Sequence, residues 1–317
     1  MYKVKIYEDL LQKGYFWYLK RSLLVLADRE TIALKVIGKA PFVDRHRAII
    51  YVNGFPLLID IVDSSKLPPI EYFSKFNDFR ILKANLSIEN RPDNWNPKIV
   101  DKIKPYIIGR TMGMYYEVDE LKMYHSFKIS KYKVISYSGA GVYKTPTENR
   151  LKVYDLFEKV FKEKALLIFR DRPHFKSEEK NKFLKFNDYL KKYRKPTNMP
   201  NISGLKDYFN FLADGEFSIN FAGVSKSNPF RCVDSILVNK CVISTKIYVD
   251  IWKDFPCVML PICGYDGTGD WDKAREILQN LDKINQDELK RKARNWYDKY
   301  LSPEGMWKNQ ILKALEC

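Results

Sequence analysis

An α/β protein of two domains is the fold class this sequence predicts, on three observations. From about Lys131 onward, short β-rich runs alternate with segments of helical spacing, the pattern of a parallel sheet wrapped by helices. Ala165–Phe169 is apolar without interruption, as expected of a strand covered on both faces. At 317 residues, with 45% hydrophobic and 15% aromatic content, the chain exceeds the usual single domain and can fill two cores.

In chain order, Tyr18–Asp28 fits either a helix or an extended run. Ala48–Val52 and Leu57–Val62 are strand-like, and Asn53-Gly54 between them is a strong reversal signal. Phe79–Ala84 reads as a further strand. Asn90–Pro105 carries three prolines with Asn and Asp, the composition of a surface excursion. Lys133–Tyr137 is a short strand that runs into Ser138-Gly139-Ala140-Gly141. Glu148–Phe161 has helical spacing, with Leu151, Tyr154, Leu156, Phe157 and Val160 at its apolar positions. Ser177–Tyr193 is helix-like with Ser177 as N-cap, and Gly204–Ala213 is a short helix leading to a strand at Phe217. Cys257–Ile262 is another buried strand, and Trp271–Leu281, Gln286–Tyr300 and Pro303–Leu315 close the chain as helices.

Composition narrows the function classes. At the N-terminus apolar residues alternate with charges, unlike a signal peptide, and no apolar run approaches the ~20 residues that span a bilayer. The expectation is a soluble, cytoplasmic protein. Its five cysteines (Cys232, Cys241, Cys257, Cys263 and Cys317) form no Cys-x-x-Cys pair, and only three histidines exist, so no structural metal site is expected. The formal charge of +16 favours anionic partners: nucleic acid, an anionic membrane surface or a phosphate-bearing substrate. Charge does not choose among them, and a biased residue usage accounts for it equally well.

The segment Phe217–Ser244 carries the most chemistry. It reads as a strand, a small-residue loop, a helix and a second strand. Asn228 is placed as N-cap and Pro229 at the first helical position; Val233, Ile236 and Leu237 form the buried stripe, and Asn239 ends the helix. Arg231 and Asp234 are three residues apart and share a face. One reading of that pair is a solvated intrahelical ion pair. The other is a nucleotide site, in which the guanidinium and helix start meet a diphosphate and the carboxylate meets ribose hydroxyls.

Pro-Phe-Arg after a small-residue loop, an acid three positions on, an apolar turn and then Lys-Cys-Val-Ile-Ser resembles the exostosin-type signature of GT-B glycosyltransferases. There the pattern is Arg-Phe-x-Glu/Asp-Ala followed by Gly-Cys-Val-Pro-Val-Ile. The chain departs from it at Lys240, at Ser244 and in having Asp for Glu. The resemblance spans about Lys131 to Tyr300, with only Phe217–Ser244 at the level of a motif. It implies two Rossmann-like domains in a GT-B-like arrangement, the donor domain C-terminal. Residues 1–128 would form the acceptor side and 129–300 the nucleotide-sugar donor domain, with a C-terminal helix over 301–317 packing back on the first. The implied reaction moves a sugar from a nucleoside diphosphate sugar to a glycan or lipid-linked glycan; the basic residues at the phosphate site argue for a reaction without metal, and no cofactor is expected. Arg231 would hold the diphosphate and Asp234 the ribose.

Further residues join that expectation. Gly139 and Gly141 let the backbone approach a donor closely, although a plain turn explains them too. Asn149, Arg150 and Lys144 lie close behind. Arg170 and Arg172 follow the Ala165–Phe169 strand and read as auxiliary phosphate contacts or as a solvated basic loop. For an inverting reaction the acceptor side must supply a general base. Asp63, at a strand end, and His125, near the domain junction, are the candidates; each has a structural reading as well. Asp270-Trp271-Asp272 has the spacing of a manganese-binding Asp-x-Asp, but it opens a helix, where Asp270 caps and Asp272 suits the dipole. The basic surface suits peripheral contact with a membrane. The rival classes are a nucleic-acid-binding protein, not favoured because no RNA-binding signature or metal carboxylate cluster accompanies the charge, and a carbohydrate-binding protein of the same fold without activity.

Overall fold

A computed structural model of the chain describes residues 1–12, 16–41, 46–62, 75–87, 97–107, 129–139, 144–170, 186–193, 202, 205–221 and 231–316. The chain divides into two compact units. One comprises Met1–Tyr116, Tyr248–Phe255 and Arg294–Cys317; the other comprises Glu117–Ile247 and Pro256–Ala293.

The first unit contains β1 (Tyr2–Tyr7), α1 (Glu8–Gln12), α2 (Trp17–Asp28), β2 (Ile32–Ile37), β3 (Arg47–Val52), β4 (Phe55–Asp60), β5 (Arg80–Lys83), α3 (Pro97–Val100) and β6 (Ile103–Pro105). Its sheet has the order β2-β1-β3-β4-β5-β6. β1 runs parallel to β2 and antiparallel to β3; β3 and β4 are antiparallel, and β4, β5 and β6 are parallel. The sheet is therefore mixed. The N-terminal alternation of apolar and charged residues is β1 itself, with Val4 and Ile6 buried and Lys3 and Lys5 exposed. Tyr18–Asp28 resolves as helix, because Tyr18, Leu19, Ser22, Leu23 and Leu26 recur at helical spacing on its buried side.

Asn53 and Gly54 take φ of 51° and 89°, and Val52 faces Phe55 in register. This is the two-residue hairpin that Asn-Gly specifies. The expected surface excursion over Asn90–Pro105 is corrected in its described part. Ile99 and Ile103 are buried, and Ile103–Pro105 pairs with β5 as an edge strand. An edge position tolerates Pro105 because, among the described residues, no strand pairs with β6 on its outer side. Asp60, at the end of β4, is fully buried between Lys83 Nζ at 3.1 Å and Arg47 Nε at 3.6 Å, and its Oδ1 also accepts from the Val62 N–H at 2.9 Å.

The second unit contains β7 (Tyr132–Gly139), α4 (Lys144–Phe161), β8 (Ala165–Arg170), α5 (Phe186–Lys192), α6 (Leu205–Ala213), β9 (Gly215–Asn220), α7 (Arg231–Leu237), β10 (Cys241–Thr245), β11 (Val258–Leu260) and α8 (Trp271–Gln279). Its five strands lie in the order β11-β10-β9-β7-β8, and every pairing is parallel. This is a doubly wound, Rossmann-like sheet. All five β10 residues are buried, as a central parallel strand requires. The chain passes from β7 to β8 on one side, then returns to β9 on the other. The strand order thus switches direction between β7 and β9, where open α/β sheets bind their ligands.

The helix α9 (Gln286–Tyr300) is followed by α10 (Pro303–Met306), capped by Ser302 accepting from the Gly305 N–H, and by a wider turn over Trp307–Leu312. Met306, Trp307, Ile311 and Ala314 belong to the same core as Val4, Ile6 and Leu23. The division of the chain differs from 1–128, 129–300 and 301–317 in giving residues 117–128 to the second unit and 248–255 and 294–300 to the first. For 248–255 and 294–300 the physical reason is aromatic. Trp252 meets Trp296 at a tilt with ring centroids 4.6 Å apart, Phe255 meets Trp296 edge-on at 5.1 Å, and the Asp250 N–H donates to the Leu86 carbonyl at 3.0 Å.

Candidate functional site

The carboxyl ends of β7, β8, β9 and β10 line one edge of the second sheet. Gly139 is in register with Arg170, and Asn220 with Ser244. Polar side chains tie this edge together. Asn220 Nδ2 donates to Ser244 Oγ at 2.9 Å, and Ser244 Oγ donates to the Thr245 carbonyl at 2.8 Å. All three residues are buried.

Helix α7 is held against β9 by a buried hydroxyl pair, Ser218 Oγ and Ser235 Oγ; Ser235 Oγ also donates to the Arg231 carbonyl at 3.0 Å. Its far end closes as the sequence predicts. Asn239 takes φ of 55°, its N–H donates to the Ile236 carbonyl, and the Lys240 N–H donates to the Ser235 carbonyl. An asparagine tolerates that left-handed backbone better than most residues. Arg231 opens α7 beside the switch point, half-buried, and its buried Nε has no hydrogen-bond partner among the described residues. Asp234, one turn on, is fully buried.

Across the crevice, α4 contributes groups that helical periodicity alone marks as core. Tyr154 is fully buried, yet its hydroxyl lies 2.9 Å from Ser138 Oγ, 2.8 Å from Ser136 Oγ and 3.1 Å from the Ile168 carbonyl. It thereby clamps the ends of β7 and β8. Burial raises this hydroxyl above its ordinary value of 10.0, while the Ser136 and Ser138 hydrogen bonds and the charges of Arg150 and Arg231 pull the other way. Arg150, one turn earlier on α4, is 7% exposed and holds its guanidinium carbon 5.5 Å from the Phe221 ring centre. Phe221 directly follows β9.

Next to Arg150, Asn149 donates from Nδ2 to the Tyr265 carbonyl at 3.0 Å. This pins the 263–269 turn to α4. The turn is internally bonded: the Cys263 N–H donates to the Thr268 carbonyl at 2.7 Å, the Gly267 N–H to the Cys263 carbonyl at 2.9 Å, and Trp271 Nε1 to the Gly267 carbonyl at 3.0 Å.

Of the residues singled out from sequence, the structure brings Arg231, Asp234 and the backbone of Gly139 and Arg170 to this edge. Gly141, Arg172 and Asn228 lie outside the described residues, as do Asp63 and His125. Sequence reasoning left Arg150 as a mere neighbour of the glycine loop and took Tyr154 for an apolar position. The signal for both was polar tips at helical spacing behind a strand end. Asp270 caps α8, its Oδ1 accepting from the Lys273 N–H at 2.8 Å, and Asp272 pairs with Arg275 at 3.1 Å. Desolvation pushes the buried Cys241 thiol up to about 11 and the half-buried Cys257 thiol to about 12, which makes both poor nucleophiles. No helix among the described residues is long and apolar enough to cross a membrane.

No family model matches the sequence, and no curated protein matches it. Solved structures do resemble the fold. An E. coli trehalose-6-phosphate protein bound with UDP-2-fluoro glucose is 10% identical, over 68% of this chain and 52% of its own, with a TM-score of 0.45. A mutant of S. aureus TarM in complex with UDP is 10% identical over 82% of this chain and 55% of its own, with a TM-score of 0.46. A glycosyltransferase from Rickettsia africae ESF-5 is 12% identical over 95% of this chain and 81% of its own, with a TM-score of 0.49. The chain spans about half the length of the first of these structures, 52%. At such identities and scores the likenesses carry no chemistry. The description of the fold rests on the sheet topology itself.

Proposed function

We propose that this chain is a glycosyltransferase that moves a sugar from a nucleoside diphosphate sugar to a glycan or lipid-linked glycan acceptor. The observation that carries the reading is the place of Arg231. It is a half-buried guanidinium at the carboxyl edge of a doubly wound sheet, beside the switch between β7 and β9, with a buried Nε that has no hydrogen-bond partner among the described residues. When a glycosyl bond to a diphosphate breaks, negative charge grows on the leaving oxygens. A guanidinium held in a partly water-excluded site stabilises that charge more than it stabilises the bound donor.

In this reading Arg231 holds the diphosphate and Asp234 accepts from the ribose hydroxyls. The Gly139 and Gly141 backbone approaches the donor, and Asn228, Arg170 and Arg172 are auxiliary contacts. Leaving-group stabilisation is by cations of the protein, so the reaction is proposed as metal-independent. Asp63 is the proposed base toward the acceptor hydroxyl, and His125 is the other candidate for that role. The exostosin-like signature over Phe217–Ser244 supports the donor assignment, and the +16 charge supports an acceptor on a cytoplasmic membrane face or a polyanionic glycan.

A thermal-shift panel of UDP-, GDP-, CMP- and dTDP-sugars tests class and donor together. The expected result is stabilisation by one family of nucleoside diphosphate sugars and slow release of nucleoside diphosphate on incubation. Arg231→Ala should abolish transfer and weaken nucleotide binding; an unchanged donor affinity by calorimetry would remove the site assignment. A protein that binds sugars yet never hydrolyses or transfers a donor would be a non-catalytic member of the fold.

A further inference from the structure

We infer that the open face of β1 and β2, which carries Lys3, Lys5 and Lys35, docks on the headgroups of an anionic lipid bilayer. The surface belongs to the first unit and owes nothing to the donor reading. It gives a place and a partner to a positive charge that composition leaves spread over the whole chain.

Register across the first sheet puts Ile49, Leu58, Ile81 and Ile103 on one face, where they form a second apolar cluster with Phe79 and Ile99. Tyr51 follows Ile49 on that face, Lys5 lies in register with Tyr51, and Lys35 in register with Lys5; Lys3 is two residues back along β1. The apolar cover ends at Tyr7 and Tyr51, whose hydroxyls meet at 3.0 Å. Beyond them Lys3, Lys5 and Lys35 are all exposed, while Val4 and Ile6 on the other face of β1 are buried in the main core.

Lys3 and Lys5 stand about 6.6 Å apart along one strand, and Lys5 and Lys35 sit on strands about 4.8 Å apart. Among the described residues no carboxylate pairs with any of the three. Like charges at that spacing repel, and an anionic surface removes the repulsion. Lysine on an edge strand also guards against unwanted pairing, which would account for Lys35. It does not account for Lys3 and Lys5, because β1 lies between β2 and β3 and has no free edge.

The rest of the face favours lipid over a soluble polyanion. Ile37, Tyr7 and Tyr51 are half-buried on the same side as the lysines, with Ile37 in register with Tyr7. A headgroup layer takes lysine heads, their apolar stems and amphipathic rings together. A hydrated, charged glycan gives Ile37 no apolar contact. A nucleic acid stacks its bases on open ring faces, whereas the two tyrosine rings meet edge-on at 66° and leave no flat platform.

The test uses the full chain and co-sedimentation with vesicles of phosphatidylcholine alone and of an equimolar mixture with phosphatidylglycerol. The wild type should pellet with the mixed vesicles, far less with the neutral ones, and less as salt is raised. A variant carrying Lys3→Gln, Lys5→Gln and Lys35→Gln together should bind the mixed vesicles about a hundredfold more weakly, at about fivefold for each lysine. A control carrying Lys152→Gln, Lys159→Gln and Lys162→Gln, also exposed, makes the same change in net charge and should bind like the wild type. If the first variant does not fold, its three single changes stand in, each expected to lose about fivefold. A wild type that ignores the mixed vesicles, a first variant that binds like it, or an equal loss in both variants would overturn the inference. So would a first variant that keeps vesicle binding but loses binding to heparin or polyuridylate, since the face would then serve a soluble polyanion. Release of nucleoside diphosphate from a donor, assayed without lipid, should be the same in the wild type and the first variant; its absence from both would sink the donor reading and leave the vesicle result standing.

Discussion

The side-chain amide of Asn149 stands where a β-carbon on Gly267 would go: that carbon would lie 2.5 Å from Asn149 Oδ1. Gly267 also has φ of 76°, in the left-handed region that side chains resist. Sequence position hides this relationship, since the two residues are more than a hundred apart. It fastens the 263–269 turn to the helix that carries Arg150. Gly267→Ala should therefore cost about 1–3 kcal/mol through strain and contact together. Chemical denaturation measures it. A wild-type unfolding midpoint would show that the turn yields freely.

Asp270 is a helix cap in this fold, so Asp270→Ala should lower stability by about 1 kcal/mol, the usual cost of losing an N-cap side chain. Transfer activity should persist in that variant and in the presence of EDTA. A strict manganese requirement, lost in Asp270→Ala, would reassign the Asp270–Asp272 pair to metal binding.

Asp60 and Lys83 form an ion pair with both side chains fully buried, 3.1 Å apart, with Arg47 at 3.6 Å. Lys83→Met should destabilise the protein by about 3–5 kcal/mol, because it strands part of a buried charge. Adding Asp60→Asn should cost much less than the sum of the two single changes, since the double variant leaves no carboxylate to satisfy. Urea unfolding of the four proteins closes the cycle. Additive losses would mean that the two groups do not depend on each other.

Acid stability should depend on Asp155. Burial raises its pKa, but hydrogen bonds from the Tyr193 hydroxyl at 2.6 Å, Lys192 Nζ at 2.9 Å and the Tyr189 hydroxyl at 2.9 Å outweigh it, and the net shift is below the ordinary 3.8. A carboxylate with a depressed folded pKa contributes stability that is present above its unfolded value and is lost as pH falls through the folded one. Asp155→Asn should thus be less stable than wild type near neutrality and lose less on acidification below pH 3.8. Parallel curves of stability against pH for the two proteins would contradict the assignment.

Much of the fold was legible in the chain. The Asn53-Gly54 hairpin, the cap at Asp270, the left-handed Asn239 after α7 and the buried runs of β8 and β10 all follow from short-range rules of turn geometry, capping and alternation. The errors came where composition stood in for packing. Asn90–Pro105 looked like a loop because of its prolines, while Ile99 and Ile103 found a sheet to bury against. Tyr154 looked like one more apolar contact until Ser136, Ser138 and the Ile168 carbonyl surrounded its hydroxyl.

Local chemistry determined which segments became helix, strand and turn, and it marked Arg231 and Asp234 as neighbours on one helix face. Only the tertiary structure decided that β7 lies between β8 and β9, because the order of strands in a parallel sheet depends on crossovers that no local window contains. That order creates the crevice. It also sets the Tyr154 hydroxyl of α4 against Ser136 and Ser138 at the end of β7. Spacing along a chain sets what a residue can do within a turn or two; which distant residues share its surroundings is settled by burial, and burial belongs to the folded whole.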